Sequence, residues 1–237
     1  MPKSNIKNIA PEVVQTATAV AAEKHAPVLG VGEMVNYRDS WRIFRIITEF
    51  VEGYQFLGEL KKEVVILGSA RFPGNNKYYK IAQELGYLLA KGGFTTITGG
   101  GPGIMEAANK GAFEKGGVSV GINMRLEKGE RVNNYITKSI GFFFPFVRKL
   151  IITAPSEAFV YFPGGFGTLH QLFEMLTLQE TKKIAPIPTL LYGREFWQPL
   201  IEIIHKMRND FKTISQMDED YLKLIDDPKE VLQYLRK

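Results

Sequence analysis

Cysteine is absent from all 237 residues. Disulfides, thiolate nucleophiles and cysteine-ligated zinc or iron–sulfur centres are excluded with it. A chain without thiols suits a reducing compartment, and a cytoplasmic location is expected. Histidine is almost as scarce: His25, His170 and His205 stand far apart without metal-ligand spacing, so no metal site is expected. Long hydrophobic runs are missing too. The greasiest stretch, Gly141 to Val147, falls short of the roughly 18 residues a membrane helix needs and runs into Arg148 and Lys149. Nor does one charge dominate: 30 Lys and Arg against 25 Asp and Glu leave a net +5, scattered along the chain. That balance favours a small anionic ligand over a nucleic-acid polymer. What is present is an ordinary globular composition, 45% hydrophobic and 23% charged, which excludes a disordered chain or a fibre.

Residues 1–38 mix Ala, Val and Thr with prolines and glycines, while Glu12 and Gln15 break anything resembling a signal-peptide core. They read as an N-terminal extension, with a short helix over Pro11 to Lys24 packed on the surface or on a partner subunit. Residues 39–237 read as one domain. Trp41, Phe44, Ile47, Val51, Tyr54 and Leu57 recur every three or four residues after a cap at Asp39 or Ser40, which predicts an amphipathic helix ending near Lys61 and Lys62. Val64 to Leu67 is then a continuous apolar run, as in a strand buried on both faces. The alternation continues: a helix over Tyr79 to Lys91, strand Thr95 to Thr98, helix Pro102 to Lys115, strand Ser119 to Ile122. After an irregular stretch come helix Phe146 to Ala154, strand Ala158 to Phe162, helix Thr168 to Glu180 and strand Pro188 to Leu191. Helices over Glu195 to Lys206 and Pro228 to Leu235 close the chain. Such alternation predicts an α/β fold, a Rossmann-like doubly wound parallel sheet with flanking helices, which binds ligands beyond the carboxyl ends of its strands.

Three of those strand ends are rich in glycine: Gly68-Ser69-Ala70-Arg71, Gly99-Gly100-Gly101-Pro102-Gly103 and Pro163-Gly164-Gly165-Phe166-Gly167-Thr168. Glycine admits positive φ and close approach of the backbone, and a following helix N-terminus offers free N–H groups to a phosphate. Any one loop is equally a tight strand-to-helix turn. Three together favour phosphate binding, with Gly68, Gly100 and Gly101 among the contacts. No loop ends in Gly-Lys-Ser/Thr and no Gly-x-Gly-x-x-Gly follows the first strand, which disfavours a P-loop NTPase and an NAD enzyme.

GSARF at Gly68 to Phe72, GGGPGIMEAANKGA at Gly99 to Ala112, VRK at Val147 to Lys149 and PGGFGTLHQ at Pro163 to Gln171 together resemble the LONELY GUY (LOG) family, often labelled lysine decarboxylase-like. The resemblance runs from about Ser40 to the C-terminus. It implies a Rossmann-like homodimer that hydrolyses the N-glycosidic bond of a nucleoside 5′-monophosphate, such as a cytokinin ribotide or AMP, to free base and ribose 5-phosphate. It implies that Ser69, Gly164, Gly165, Gly167 and Thr168 hold phosphate and ribose, that Met105 flanks the base, and that Arg148 is the catalytic arginine. Lys149 beside it is a candidate substrate or phosphate contact, and the competing reading of Arg148 and Lys149 is a solvated helix end. No cofactor is expected: decarboxylation of lysine needs pyridoxal phosphate on a lysine Schiff base, and no lysine here is singled out for it.

Cleavage passes through an oxocarbenium-like sugar that a carboxylate stabilises. The family motif PGGxGTxxE ends in that catalytic glutamate, and here the position is Gln171, which hydrogen-bonds but does not ionise. Two readings follow, an altered hydrolase or a non-catalytic nucleotide-binding homologue. Rescue is offered by Glu174, which shares a helix face with His170 and Gln171 if Leu169, Leu172, Phe173 and Leu176 point inward; its alternative role is a surface acid. Glu106 lies just after the GGGPGI turn and serves the site directly or by orienting Arg148 or Arg71. His170 reads as an acid or base, a phosphate partner, or a polar residue on the rim.

Overall fold

The computed structural model describes residues 12–13, 37–125, 132–154, 156–215 and 222–235. In chain order the elements are β1 (Glu12–Val13), α1 (Tyr37–Gly58), β2 (Glu63–Leu67), α2 (Lys77–Lys91), β3 (Thr95–Thr98), α3 (Ile104–Glu114), β4 (Ser119–Met124) and β5 (Lys138–Phe142). There follow α4 (Pro145–Thr153), β6 (Ala158–Tyr161), α5 (Phe166–Glu180), β7 (Thr189–Tyr192), α6 (Arg194–Asn209), β8 (Leu222–Ile225) and α7 (Pro228–Leu235). The eight strands form one sheet in the order β1-β5-β4-β3-β2-β6-β7-β8, with every pairing parallel. The expected doubly wound architecture is present. From β2 the chain winds outward through β3, β4 and β5, crosses back on α4, and winds the other way through β6, β7 and β8. The reversal between β2 and β6 opens a crevice at the carboxyl edge.

The unbroken apolar run of β2 has a direct cause, because helices cover both faces. Val65 and Leu67 pack into a layer with Phe56 of α1, Ile151 of α4, Met175 of α5 and Trp197 of α6. Val64 and Ile66 pack on the opposite layer with Leu85 of α2, Ile104 of α3 and Val231 of α7. Alternation with period 2 sends neighbouring residues to opposite cores. The helices α2 and α3 meet backbone to backbone: a Cβ on Gly86 would strike the carbonyl oxygen of Ala108, and one on Gly111 that of Gln83.

Several expectations are corrected. Lys138–Phe142, within the stretch read as irregular, is strand β5, and Leu222–Ile225 is strand β8. A lysine interrupts the apolar pattern of each, which hides the strand signature. Glu12–Val13 pairs as a strand with β5 rather than opening a helix; the rest of the Pro11 to Lys24 helix lies outside the described residues. The expected amphipathic helix is present as α1, although it begins at Tyr37, ahead of the expected cap at Asp39 or Ser40. Trp41, Phe44, Ile47, Val51 and Tyr54, the stripe that marks it as amphipathic, are 51 to 59% exposed. Glu49, Gly53, Phe56, Leu57 and Leu60 are buried instead. Among the described residues no helix is long and apolar enough to cross a membrane.

Candidate functional site

The three glycine loops meet at the carboxyl edge, tied by their backbones. Ser69 N donates to Pro163 O at 3.0 Å, which joins the loop after β2 to the loop after β6. Ile104 N donates to Ser69 O at 3.0 Å, which seats the first turn of α3 on the loop after β2. A Cβ on Gly68 would lie 2.8 Å from Ile104, so glycine is what permits that seat. The Ser69 hydroxyl accepts from Arg71 N at 3.1 Å.

The middle loop is held from below by a buried polar network. Thr98 Oγ1 accepts from Gly100 N at 2.9 Å and donates to Asn109 Oδ1 at 2.6 Å. Asn133 Nδ2 donates to Gly100 O at 3.1 Å, Gly101 O at 3.2 Å and Asn109 Oδ1 at 3.0 Å. Asn109 Nδ2 in turn reaches Ser119 Oγ at 2.8 Å. Sequence reasoning missed Thr98, Asn109 and Asn133. The one available signal was a polar Asn109 among the inward-facing Ala108 and Ala112 of α3. Gly100 has φ +73°, and a Cβ there would collide with Asn123 Oδ1. Both factors demand glycine. Asn123 is buried, and among the described residues neither of its amide atoms finds a hydrogen-bond partner.

Over this loop sit the two side chains expected there. Met105 Sδ would lie 2.9 Å from a Cβ on Gly99, and its Cε 2.9 Å from one on Gly101. The guanidinium of Arg148 occupies the same space, with Nε donating to Ile122 O at 2.7 Å and Nη2 to Gly99 O at 3.5 Å. Arg148 is therefore no solvated helix end. Burial pushes its pKa down from the ordinary arginine value. Among the described residues no carboxylate neutralises it. Its charge is directed at the strand ends.

The loop after β6 is open. A Cβ on Gly165 or Gly167 would meet nothing within 4 Å, and α5 begins after Gly165 without a side-chain cap. Thr168 N and Leu169 N both donate to Gly165 O, at 3.0 and 3.1 Å, so the N–H groups of Phe166 and Gly167 ahead of them are the ones without an intrahelical acceptor. Gly164 is different, because a Cβ there would strike Thr168, whose hydroxyl lies under the loop.

The remaining expected residues separate into two places. Glu106 does not orient Arg148 or Arg71: its Oε1 accepts from the Tyr79 hydroxyl of α2 at 2.8 Å. Lys149 turns from Arg148 to α5, where its Nζ lies 3.3 Å from His170 Nε2 and 3.7 Å from Glu174 Oε2. The second distance is an ion pair too long for a hydrogen bond. Phe173 is 40% exposed, not inward, and Gln171 takes the buried face at 6% exposed. Among the described residues Gln171 Oε1 has no hydrogen-bond partner. His170 and Glu174 thus share Lys149, and Gln171 points elsewhere. No group of three His, Cys, Asp or Glu with metal-binding geometry occurs among the described residues.

The family model described as "Possible lysine decarboxylase" matches residues 105–235. An uncharacterized protein of Archaeoglobus fulgidus is 33% identical over 129 residues, 54% of this chain and 83% of that protein. The cytokinin riboside 5′-monophosphate phosphoribohydrolase of Rhodococcoides fascians is 26% identical over 146 residues, 60% of this chain and 74% of the other. Among solved structures, the molybdenum cofactor binding protein of Rippkaea orientalis superposes with TM-score 0.57 at 20% identity, covering 75% of this chain and 97% of that one. That likeness carries the fold alone. The glycine-loop motifs and the family match lead to one conclusion: the chain belongs to the LOG family, the family of the "Possible lysine decarboxylase" model.

Proposed function

We propose that this protein hydrolyses the N-glycosidic bond of a purine nucleoside 5′-monophosphate of the AMP type, releasing free base and ribose 5-phosphate. The observation that carries the reading is Arg148: a half-buried cation with no neutralising carboxylate among the described residues, held at Gly99 while Gly165 and Gly167 on the loop after β6 face open space. The loop containing Gly164, Gly165, Gly167 and Thr168 and the uncapped first turn of α5 suit a phosphate. In this reading Met105 flanks the base, and Gln171 hydrogen-bonds a ribose hydroxyl. Glu174, one turn further along α5 and held by Lys149, is the local carboxylate for the developing sugar cation. Water attacks the anomeric carbon as the bond to the base nitrogen breaks, and the base leaves with a proton. The named phosphoribohydrolases among the relatives support the reaction class.

One observation favours a second reading, a non-catalytic nucleotide-binding protein. The motif position of the family's glutamate holds Gln171, an amide whose Oε1 is unpartnered among the described residues. Incubation of the purified protein with AMP, followed by chromatography of adenine and ribose 5-phosphate, separates the two. Stoichiometric release over many turnovers supports hydrolysis; AMP binding without release overturns it.

The proposal includes a homodimer. The exposed stripe Trp41, Phe44, Ile47, Val51 and Tyr54 of α1 is joined by exposed Phe146 and Leu150 of α4. Such a contiguous apolar face is what an isologous contact covers. Light scattering at micromolar concentration is expected to give twice the chain mass, and a monomeric mass refutes the assembly.

A further inference from the structure

Glu49 of α1 is a carboxylic acid at 1% exposure, and nothing in the reaction outlined above uses it. It lies upstream of the residues matched by the family model. Its two oxygens are both occupied: Oε1 accepts from Phe143 N at 2.7 Å and Oε2 from Phe144 N at 3.1 Å. These are the last two N–H groups before α4. Phe144 is the N-cap residue of α4 but supplies no side-chain cap, and Pro145 follows it with no N–H to give. The entry to the helix is therefore fixed from another element.

The chain of bonds continues to the site. Phe144 O accepts from Arg148 N at 3.1 Å, so the residue gripped by Glu49 is the one that holds the backbone of Arg148 one turn later. Arg148 then spans to Ile122 O and Gly99 O. A second contact locks the same pair of helices: a Cβ on Gly53, one turn after Glu49, would lie 2.6 Å from Ile151 of α4. A guanidinium that serves a transition state must be placed to within a fraction of an ångström. The helix carrying it is only 9 residues long.

We propose that Glu49 is a positioning residue for Arg148: its buried carboxylate fixes the start of α4 so that the guanidinium is presented at Gly99 and Ile122. This rests on the reading of Arg148 as the catalytic cation. Burial raises the pKa of Glu49, while the N–H groups of Phe143 and Phe144 and the charges of Arg125 and Arg45 act the other way. A carboxyl retained in so dry a place is explained by the two donors that face it.

The test uses the full chain and reads Arg148 directly. In nitrogen-15 spectra without nucleotide, the Arg148 Nε–H is expected to exchange slowly with solvent because it is bonded to Ile122 O. In Glu49→Gln, which keeps the side-chain shape but offers only one acceptor, that exchange is expected to accelerate about 10-fold while amides of β2 and α2 keep their protection. With AMP, kcat is expected to fall about 10-fold or more while KM stays within about twofold. Glu49→Asp, which keeps the charge, is expected to recover part of both. Wild-type exchange at Arg148 in Glu49→Gln overturns the proposal. So does parallel acceleration of Arg148 and the β2 amides, which marks general destabilisation. If Glu49→Gln does not fold, Glu49→Asp is read in the same way, and a chain that tolerates neither also overturns it, because the carboxylate then holds the fold. If wild type does not turn over AMP, the hydrolase reading fails, and the exchange measurement still decides the role of Glu49.

Discussion

Arg148→Ala is expected to reduce adenine release from AMP by about 10³-fold or more. Removal of a single preorganised donor from an oxyanion-type site costs about 10²–10³ in rate, roughly 3–4 kcal/mol, and a charged group held in place by two backbone carbonyls is worth at least that. The geometry explains why. The guanidinium is locked to Ile122 O and Gly99 O before any ligand arrives, so no reorganisation is needed in the transition state. Its partial burial strengthens its field on whatever charge develops beside it. Truncation leaves two backbone carbonyls without a donor, at about 1 kcal/mol each, so a modest fall in melting temperature accompanies the loss. Chromatography of adenine, with circular dichroism to verify the fold, checks both parts. Adenine release at the wild-type rate from a folded Arg148→Ala protein would remove this residue from the mechanism.

Gln171→Glu is expected to act in the opposite direction, raising kcat for AMP by about 10²-fold with little change in affinity. A carboxylate about 4 Å from a cationic sugar is worth on the order of 4 kcal/mol at an effective dielectric of 20, of which desolvation of the new charge takes back a part. That part is real here, because Gln171 is buried and its Oε1 has no hydrogen-bond donor among the described residues. The introduced carboxylate would thus be less comfortable in the ground state than the native amide, and the variant is expected to melt at a lower temperature. Loss of stability coupled to gain of rate is the signature of a charge that serves the transition state. An unchanged rate, measured at saturating AMP, would place residue 171 outside the reaction.

Much of the fold is legible in the sequence because buried parallel strands are dense apolar runs. Residues 64–67 and Ala158–Tyr161 are found where such runs place them, and Thr95–Thr98, β-branched at every position, where β-propensity does. The strands that escape notice are those with a mixed pattern: Lys138 and Gly141 interrupt β5, and Lys223 interrupts β8. The site divides in the same way. Glycine loops and Arg148 announce themselves by motif, since backbone approach and a fixed cation leave residue-type signatures. Glu49 does not, because its purpose lies in two amides that are 94 and 95 residues away. The α1 stripe shows how periodicity reports a face but not what covers it. Its apolar residues have the right spacing for a core and stand in solvent in the single chain.

The order of the sheet also sets where this protein can be divided. The stretch that the family model matches, 105–235, begins inside α3, after β2 and β3 have been made. Those two strands stand between β4 and β6, which share no hydrogen bonds with each other. A fragment cut at that boundary would therefore hold the two wings of a sheet without its centre, and neither core layer would be closed. It would keep Arg148 and PGGFGT but lose Ser69 and the glycines after β3. The region most recognisable to comparison is thus not an autonomous body, and any minimal version of this protein must begin before Glu63.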